Sequence, residues 1–367
     1  MKQALKSLGA RVSTISLQSA SFSLKEQTFF FKRLSFLINA SIPLLESLAV
    51  LREQSMSRRH ARMYDQIVSD VESGKTLSKA FSKFPNVFSE FSLSIVKVGE
   101  QSGALSQNLS YLADELRKKQ VLKRKIVGAF IYPGLITLAT LGITAFLMLY
   151  LFPKIIPVFT SLHASLPFTT RTVMAISIFM QQWGVWLALA LAALFIVFVI
   201  ILRKSSAVHL LFDRVCLRVP VLGSVLQYYN LSNACRTLGL LLKSGVSLSE
   251  ALPITADATP NLVYKGHYAA LSSVVDRGDR MSAHLKKYGA YFPHILSHMV
   301  AVGERSGTLS ETLLYLAELY DHEVEEFTKN LSTLMEPALM VFMGVLVGFI
   351  AISIITPIYG ITQSLHS

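Results

Sequence analysis

Three long apolar runs interrupt a chain that is otherwise amphipathic. The first occupies the 28 residues between Lys125 and Lys154 and contains no Asp, Glu, Lys or Arg. The second, Trp183 to Leu202, is apolar throughout, and the third covers 19 residues from Pro337 to Ile355. A helix of that length spans most of the hydrocarbon core of a bilayer, which is about 30 Å thick. The pattern therefore predicts three transmembrane helices.

Outside the apolar runs, hydrophobic residues recur at helical spacing. Leucines before the first run follow steps of four, three and four, and the pattern returns before the third run. Such a stripe is typical of a helix that packs one face against its neighbours. The two stripes comprise Leu105, Leu109, Leu112, Leu116 and Leu309, Leu313, Leu316, Tyr320.

Glycines and a capping motif mark the predicted helix boundaries. A residue without a Cβ can end a helix in the left-handed region, and Ser-Leu-Ser-Glu at 247–250 fits a capping box. Alternating Val, Ile and Thr runs are missing from both soluble parts, so two small all-α bundles are expected. The predicted breaks are at Gly74, Gly99, Gly103, Gly245, Gly278, Gly303 and Gly307.

One segment occurs twice. VGEQSGALSQNLSYLA begins at Val98 and VGERSGTLSETLLYLA begins at Val302, with eleven of sixteen positions identical. At the same offset of 204 residues, Lys125, Pro133 and Pro153 align with Lys329, Pro337 and Pro357, so the duplicated unit is a soluble domain plus the span that follows it. The middle span has no counterpart, because a second unit in the same orientation requires one extra crossing.

The charge distribution predicts the topology. The net charge is +12, and the basic residues cluster just before the first span and just after the second. By the positive-inside rule, the N-terminus is cytoplasmic and the C-terminus is external. No aromatic-plus-basic reader motif accompanies the charge, so nucleic acid is not an expected partner.

The predicted fold class is therefore an all-α polytopic membrane protein with three transmembrane helices and two homologous cytoplasmic helical-bundle domains. We expect a short N-terminal segment, two cytoplasmic domains, three transmembrane helices, a short external loop and an external tail. In chain order these are the segment 1–25, domain 26–125, helix 126–152, loop 153–172, helix 173–202, domain 203–333, helix 334–359 and tail 360–367.

Catalytic chemistry has no visible place in the sequence. Ser-Gly-Lys-Thr at 73–76 resembles the end of a phosphate-binding loop, but Ser69 stands where that motif needs its first glycine. The nine histidines are scattered, and no nucleophile comes with a recognisable base-bearing motif. We therefore expect no enzyme activity, no cofactor and no metal site.

The repeated corner is the strongest candidate for a structural or partner-contact site. Its glycines are expected to bend the chain, while its Glu and Ser hydrogen-bond free amides. A polar corner displayed to a partner is the alternative reading. A second candidate lies at the span edges, where Pro337 fits an early helical position and Glu336 reaches the interface. The complete set is Gly99, Glu100, Ser102, Gly103, Gly303, Glu304, Ser306, Gly307, Pro133, Glu336 and Pro337.

These motifs resemble those of a known family, the inner-membrane platform proteins of type II secretion systems and type IV pilus machines. Its pattern is two homologous helical cytoplasmic domains and three spans, with G-E-x-S-G-x-L in each domain and Tyr-Pro or Glu-Pro at the following span. The matching residues are Gly99 to Leu105, Gly303 to Leu309, Tyr132-Pro133 and Glu336-Pro337.

The resemblance implies a non-enzymatic scaffold in the bacterial inner membrane, with a periplasmic C-terminus. Such proteins are thought to couple a cytoplasmic hexameric ATPase to pilin or pseudopilin subunits, beside other inner-membrane assembly components, and a homo-oligomer is expected. Some secretion members bind calcium with acidic residues near this Glu, but here Ala104 and Thr308 follow it at a helical turn's distance, so no metal site is carried over.

A membrane transporter or channel subunit is the alternative function, since internal repeats and membrane spans suit that class as well. The three apolar runs contain no Asp, Lys or Arg, so they offer no obvious path for an ion or a polar substrate.

Overall fold

A computed structural model describes residues 22–55, 57–161, 167–220 and 222–364, and across those ranges the regular secondary structure is helical without a strand. The all-α prediction is therefore confirmed. The chain divides into two compact units. One combines the residues up to Arg124 with Phe212 to Glu325, and the other combines Lys125 to Leu211 with the residues from Glu326 onward.

The first unit contains two helical bundles. The first bundle uses α1 to α5 and the start of α6. Ser23 begins α1 with a capping box, in which its side chain and that of Glu26 each accept a backbone N–H of the other. The helices are α1 (Leu24–Asn39), α2 (Leu44–Glu53), α3 (Arg58–Glu72), α4 (Leu77–Phe81), α5 (Glu90–Ser102) and α6 (Leu105–Phe146).

The second bundle repeats this order in the same register. Its third and fifth helices begin and end at residues that lie 204 positions after those of the first bundle. Ser247 begins α11 and its hydroxyl accepts the Glu250 amide, which is the serine half of the predicted capping box. After α9 (Ser206–Arg218), the bundle comprises α10 (Leu222–Lys243), α11 (Leu248–Ala258), α12 (Leu262–Asp276), α13 (Met281–Lys287), α14 (His294–Ser306) and the start of α15 (Leu309–Ser364).

Aromatic rings fill the centre of each bundle. In the first, Phe81 stacks on Phe88 with ring centroids 4.1 Å apart, and Phe31 is fully buried beside them. In the second, Tyr264 meets Phe292 edge to face at 5.9 Å. The two predicted stripes are confirmed, because all their members are buried or pack against this core.

One carboxylate lies in the wall of the first bundle. Asp70, in α3, has a side chain only 4% exposed and pairs with Lys75 at 2.7 Å and with Lys83. Burial raises the pKa of Asp70, but hydrogen bonds from the two lysines outweigh it and hold the pKa below its usual value. This triad ties α3 to the turns on either side of α4.

The second unit contains the apolar helices. Three helical segments are long and apolar enough to cross a membrane: Leu105–Pro157, Phe168–Leu202 and Leu309–Thr356. The helix α6 continues through a π-helical turn, Leu147–Leu151, into α7 (Phe152–Ser161), and α8 (Phe168–Lys204) follows. The external loop predicted at 153–172 is therefore largely helical, with residues 162–166 outside the described part of the chain.

Polar contacts join the apolar helices. Ser177 in α8 donates to the Met148 carbonyl at 2.5 Å, and Thr170 donates to the Ser353 carbonyl at 2.8 Å. Thr140 lies 2.6 Å from the Met343 sulfur. Hydroxyls that bond across helices stabilise such packing in an apolar environment.

Candidate functional site

The corner between α5 and α6 depends on Gly103. This residue has φ 71° and caps α5 in the left-handed conformation, and Gly307 does the same for α14 at φ 75°. A side chain there would add the strain of a Cβ in the left-handed region, so glycine suits both positions. Each corner turns in two residues from one helix into the next.

The first glycine of the motif has a different role from the predicted one. Gly99 and Gly303 lie inside α5 and α14, so the expectation that they break or bend the chain is wrong. A Cβ on Gly99 would lie 3.0 Å from the Leu105 Cα, and one on Gly303 would lie 3.0 Å from the Leu309 Cα. Glycine is therefore needed here for close approach of consecutive helices.

The motif glutamate of the first bundle caps a helix distant in sequence. The Glu100 carboxylate accepts the backbone N–H groups of Leu77 and Ser78, the second at 3.1 Å, and the Ser78 hydroxyl at 2.7 Å. These are the first two residues of α4. A carboxylate at a helix N-terminus satisfies orphan amides and interacts favourably with the helix dipole. The prediction that this Glu bonds free amides is confirmed.

The second bundle repeats the contact in register. Glu304 accepts the Met281 N–H at 2.7 Å and the Ser282 N–H at 3.3 Å, and it also bonds the Ser282 hydroxyl. Both oxygens of each motif carboxylate are thus engaged within their own bundle. One difference remains. Thr76 adds a side-chain cap to α4, whereas Arg280 makes no side-chain cap to α13.

The motif serines do not cap a helix. Ser102 donates to the Val98 carbonyl at 2.8 Å, and Ser306 donates to the Val302 carbonyl at 2.9 Å. Both bonds run back four residues within one helix. The expectation that these serines bond free amides is wrong, because a hydroxyl in the last turn finds the carbonyl of the preceding turn first.

The span-edge residues lie inside unbroken helices. Pro133 is in the interior of α6, and Pro337 is well inside α15, which begins at Leu309. The early helical position predicted for Pro337 is therefore wrong. Thr137 donates to the Pro133 carbonyl at 2.8 Å. Glu336 has an exposed side chain. The duplicated glutamates and these prolines lie at separate places in the fold, not in one site.

A buried ion cluster that sequence reasoning missed joins the two bundles within the first unit. The Arg236 side chain is 5% exposed, and its Nε lies 2.8 Å from a Glu115 carboxylate oxygen of the first bundle. Its Nη2 donates to Asp321 of the second bundle, which also accepts the Ser232 hydroxyl. Burial raises the pKa of Glu115, and Arg236 opposes that effect. The available signal was a difference between the copies: Lys32 is replaced by Arg236, and the charged Glu115 has the apolar Leu319 as its equivalent.

Comparison with known proteins gives the family. The sequence profile of the type II secretion system (T2SS) protein F matches this chain twice, at residues 30–153 and 234–357. Together the two matches cover well over half of the chain. The chain belongs to the T2SS protein F family. The two matched segments begin and end at the offset of the internal repeat, so each family domain includes a bundle and its following span.

Relatives of this family member carry two kinds of name. It is 32% identical over 365 residues to the type IV pilus assembly protein PilC of Thermus thermophilus, covering 100% of this chain and 89% of that protein. It is 31% identical to PilC of Pseudomonas aeruginosa, covering 98% and 96%. The type II secretion system protein F of Pseudomonas aeruginosa is 31% identical, with 90% and 82% covered.

Proposed function

We propose that this chain is a non-enzymatic inner-membrane platform that couples a cytoplasmic hexameric ATPase to the assembly of pilin or pseudopilin subunits into a fibre. The observation that carries the proposal is helix continuity. The last helix of each bundle, α6 or α15, runs without a break into an apolar span. The family membership supports a role in pilus assembly or protein secretion.

Continuous helices suit a platform because they transmit motion. At 1.5 Å per residue, the 42 residues of α6 extend about 63 Å and the 56 residues of α15 about 84 Å. A tilt or rotation that a motor imposes on a bundle would reach the membrane through a rigid element. The bundles would face the cytoplasm, the C-terminus the periplasm, and the spans would meet pilin helices and other inner-membrane components.

The first test asks whether the chain builds fibres. Deleting the gene in its host should remove surface fibres or block secretion, and the full chain expressed from a plasmid should restore them. Purified chain should retain the motor ATPase when the two are co-expressed. Normal fibres and normal secretion without the gene would overturn the platform proposal.

The second test asks whether helix continuity matters. Inserting Gly-Gly after Lys125 interrupts α6 with two residues of poor helix propensity. Fibres should be lost while membrane abundance stays normal. The same insertion after Ala164, between the first two apolar helices in sequence, is the matched control and should be tolerated. Full assembly with the α6 insertion would exclude transmission through that helix.

A further inference from the structure

The two bundles of the first unit meet through complementary faces. We call the side of the first bundle the inserting face. It consists of Tyr111, Glu115 and Lys118, which contact the second bundle, together with helix α5, which carries Phe91 and Val98. The side of the second bundle is the receiving face, which includes Arg236, Leu240, Lys243 and Glu318. The Lys243 ammonium lies 4.7 Å from the Tyr111 ring centre, and Lys118 pairs with Glu318 at 3.1 Å. The helix α5 also contacts α10 and α11.

The internal repeat allows each face to be located on the other bundle. Ser106 donates to the Ser35 carbonyl at 3.1 Å, and Ser310 donates to the Gly239 carbonyl at 3.2 Å. These are the same bond at the offset of 204 residues. The pairs α1 with α6 and α10 with α15 therefore pack in one register, and equivalent residues occupy equivalent places on the two surfaces.

The first bundle carries an uncovered copy of the receiving face. Lys32, Phe36, Asn39 and Asp114 stand where the second bundle has Arg236, Leu240, Lys243 and Glu318. Leu240 is 2% exposed beneath the inserting face, whereas Phe36 is 70% exposed. Phe36 lies in a surface groove beside Asn39 and Ser110.

The second bundle carries an uncovered copy of the inserting face. Ile295, Val302 and Tyr315 stand where the first bundle has Phe91, Val98 and Tyr111. Phe91 is 8% exposed, but Ile295 is 48%, Val302 is 49% and Tyr315 is 57% exposed. An aromatic ring and two aliphatic side chains on one helical corner form a surface that favours a protein partner.

We propose that the partner is a second copy of this chain, whose exposed second-bundle face docks on the exposed first-bundle face as the two bundles dock within one chain. The inserting face of the second copy is Ile295, Val302, Tyr315 and Leu319. The receiving face of the first copy is Lys32, Phe36, Asn39, Ser110 and Asp114.

The chemistry of the equivalent pairs is complementary. Tyr315 would cover Phe36 and Asn39, as Tyr111 covers Leu240 and Lys243 within the chain. The contact between copies would thus consist of an aromatic pair with a polar residue at its edge. The buried Glu115–Arg236 pair has no ionic equivalent, since Leu319 would meet Lys32 and its aliphatic stem. Contact between copies is therefore expected to be weaker than contact within a chain.

The contact joins unlike faces, so each copy offers both halves of it. Such a heterologous interface generates a ring if the rotation closes and an open array if it does not. Both copies of the duplicated unit are expected to enter the membrane in the same direction. The rotation that relates the two bundles of one chain can therefore also relate two chains in the same bilayer. The proposal does not depend on the platform function, because it concerns the purified chain alone.

Cross-linking tests the geometry. In a chain with Cys216→Ser and Cys235→Ala, Asn39→Cys and Tyr315→Cys are placed in separate, differently tagged copies that are mixed in detergent and reconstituted together. A short bismaleimide should join the two tags. Tyr111→Cys with Lys243→Cys in one chain is the matched control, because it samples the equivalent contact within the chain and should cross-link internally.

The outcomes are distinguishable. Cross-linking of Asn39→Cys to Tyr315→Cys supports the head-to-tail interface. Failure of that pair while the internal control reacts overturns it, as does cross-linking only between identical positions, which indicates a like-with-like interface.

A second measurement uses charge. Phe36→Glu should weaken self-association about tenfold or more by mass photometry, while its exposed position leaves the bundle folded. Phe29→Glu, on the same helix at 51% exposure and outside the receiving face, should have no effect. Equal self-association by wild type and Phe36→Glu would contradict the proposal.

Discussion

Arg236→Met should loosen the contact between the two bundles of the first unit. The substitution keeps an unbranched, apolar stem of similar reach and removes only the guanidinium. Glu115 and Asp321 would then keep side chains that are 12% and 20% exposed without their shared cation. Removing one partner of a buried ion pair costs about 3–5 kcal/mol, because the remaining charge stays desolvated. Lys32→Met is the matched control at the equivalent position.

The control should behave differently because its surroundings differ. Lys32 pairs with Asp114 at 3.1 Å, but their side chains are 54% and 49% exposed. An exposed pair of this kind is worth about 0–1 kcal/mol. Pulse proteolysis of the full chain in detergent and urea measures the difference. With a slope of about 1–3 kcal/mol per molar urea, Arg236→Met should lower the midpoint by roughly 1–5 M, and Lys32→Met by much less.

The same variant should show a pH dependence of known sign. Burial raises the pKa of Glu115 above its usual 4.5, and losing Arg236 removes the charge that opposes this rise. When the pKa of a carboxyl group is raised in the folded state, the folded protein loses stability as the pH rises through that pKa. The deficit of Arg236→Met should therefore grow from pH 5 to pH 8, and Glu115→Gln should relieve much of it. Equal midpoints for Arg236→Met and Lys32→Met at pH 8 would refute a desolvated cluster.

Three further predictions concern the corner, the first bundle and the topology. Glu304→Ala should cost more stability than Glu100→Ala, with each in the range of about 0.5–2 kcal/mol, because α4 keeps a second cap and α13 does not; loss of fibres by either at normal abundance would indicate an added partner contact. Asp70→Asn should cost about 1–3 kcal/mol at neutral pH; since the pKa of Asp70 is depressed, the difference should vanish in acid below its usual 3.8. A phosphatase reporter should be active near Ala164 and inactive near Gly266, and the reverse result would invert the topology.

Much of the fold was accessible from the sequence because the chain is duplicated. A residue pattern that returns at one offset reports equivalent environments, so the stripe from Leu105 to Leu116 and its copy predict two packed helices more securely than either alone. The helix ends at Gly103 and Gly307 were accessible for the same reason. The apolar runs needed only length and charge, since a bilayer imposes both.

The errors occurred where one residue type serves two physical purposes. Glycine ends helices and also permits close approach, and the sequence around Gly99 does not separate these roles, since the decisive atom is the Leu105 Cα across the corner. Proline favours a first helical turn but is tolerated inside a long apolar helix. Pro337 was placed by the first rule, whereas the structure follows the second.

Only the local part of the candidate site could be predicted from the sequence. A Glu repeated in two copies of a corner predicts a capping carboxylate. It does not predict that the carboxylate caps the amides of α4 and α13, which lie more than twenty residues earlier in the sequence. The cluster around Arg236 lies further beyond local reasoning, because its members come from α6, α10 and α15 and meet only in the folded unit.

Divergence between the two copies then becomes informative in its own right. Where a duplicated surface is buried in one bundle and exposed in the other, the substitutions should follow the difference in environment. Arg236 with Glu115 suits a desolvated contact that must not separate, whereas Lys32 with Asp114 suits a face that is hydrated between encounters. Phe36 does not suit a face that is always in water, since an aromatic ring that is 70% exposed leaves apolar surface hydrated. Both copies carry a Tyr at this position: Tyr111 contacts Lys243 within the chain, whereas Tyr315 is exposed, and this supports the proposed contact between copies.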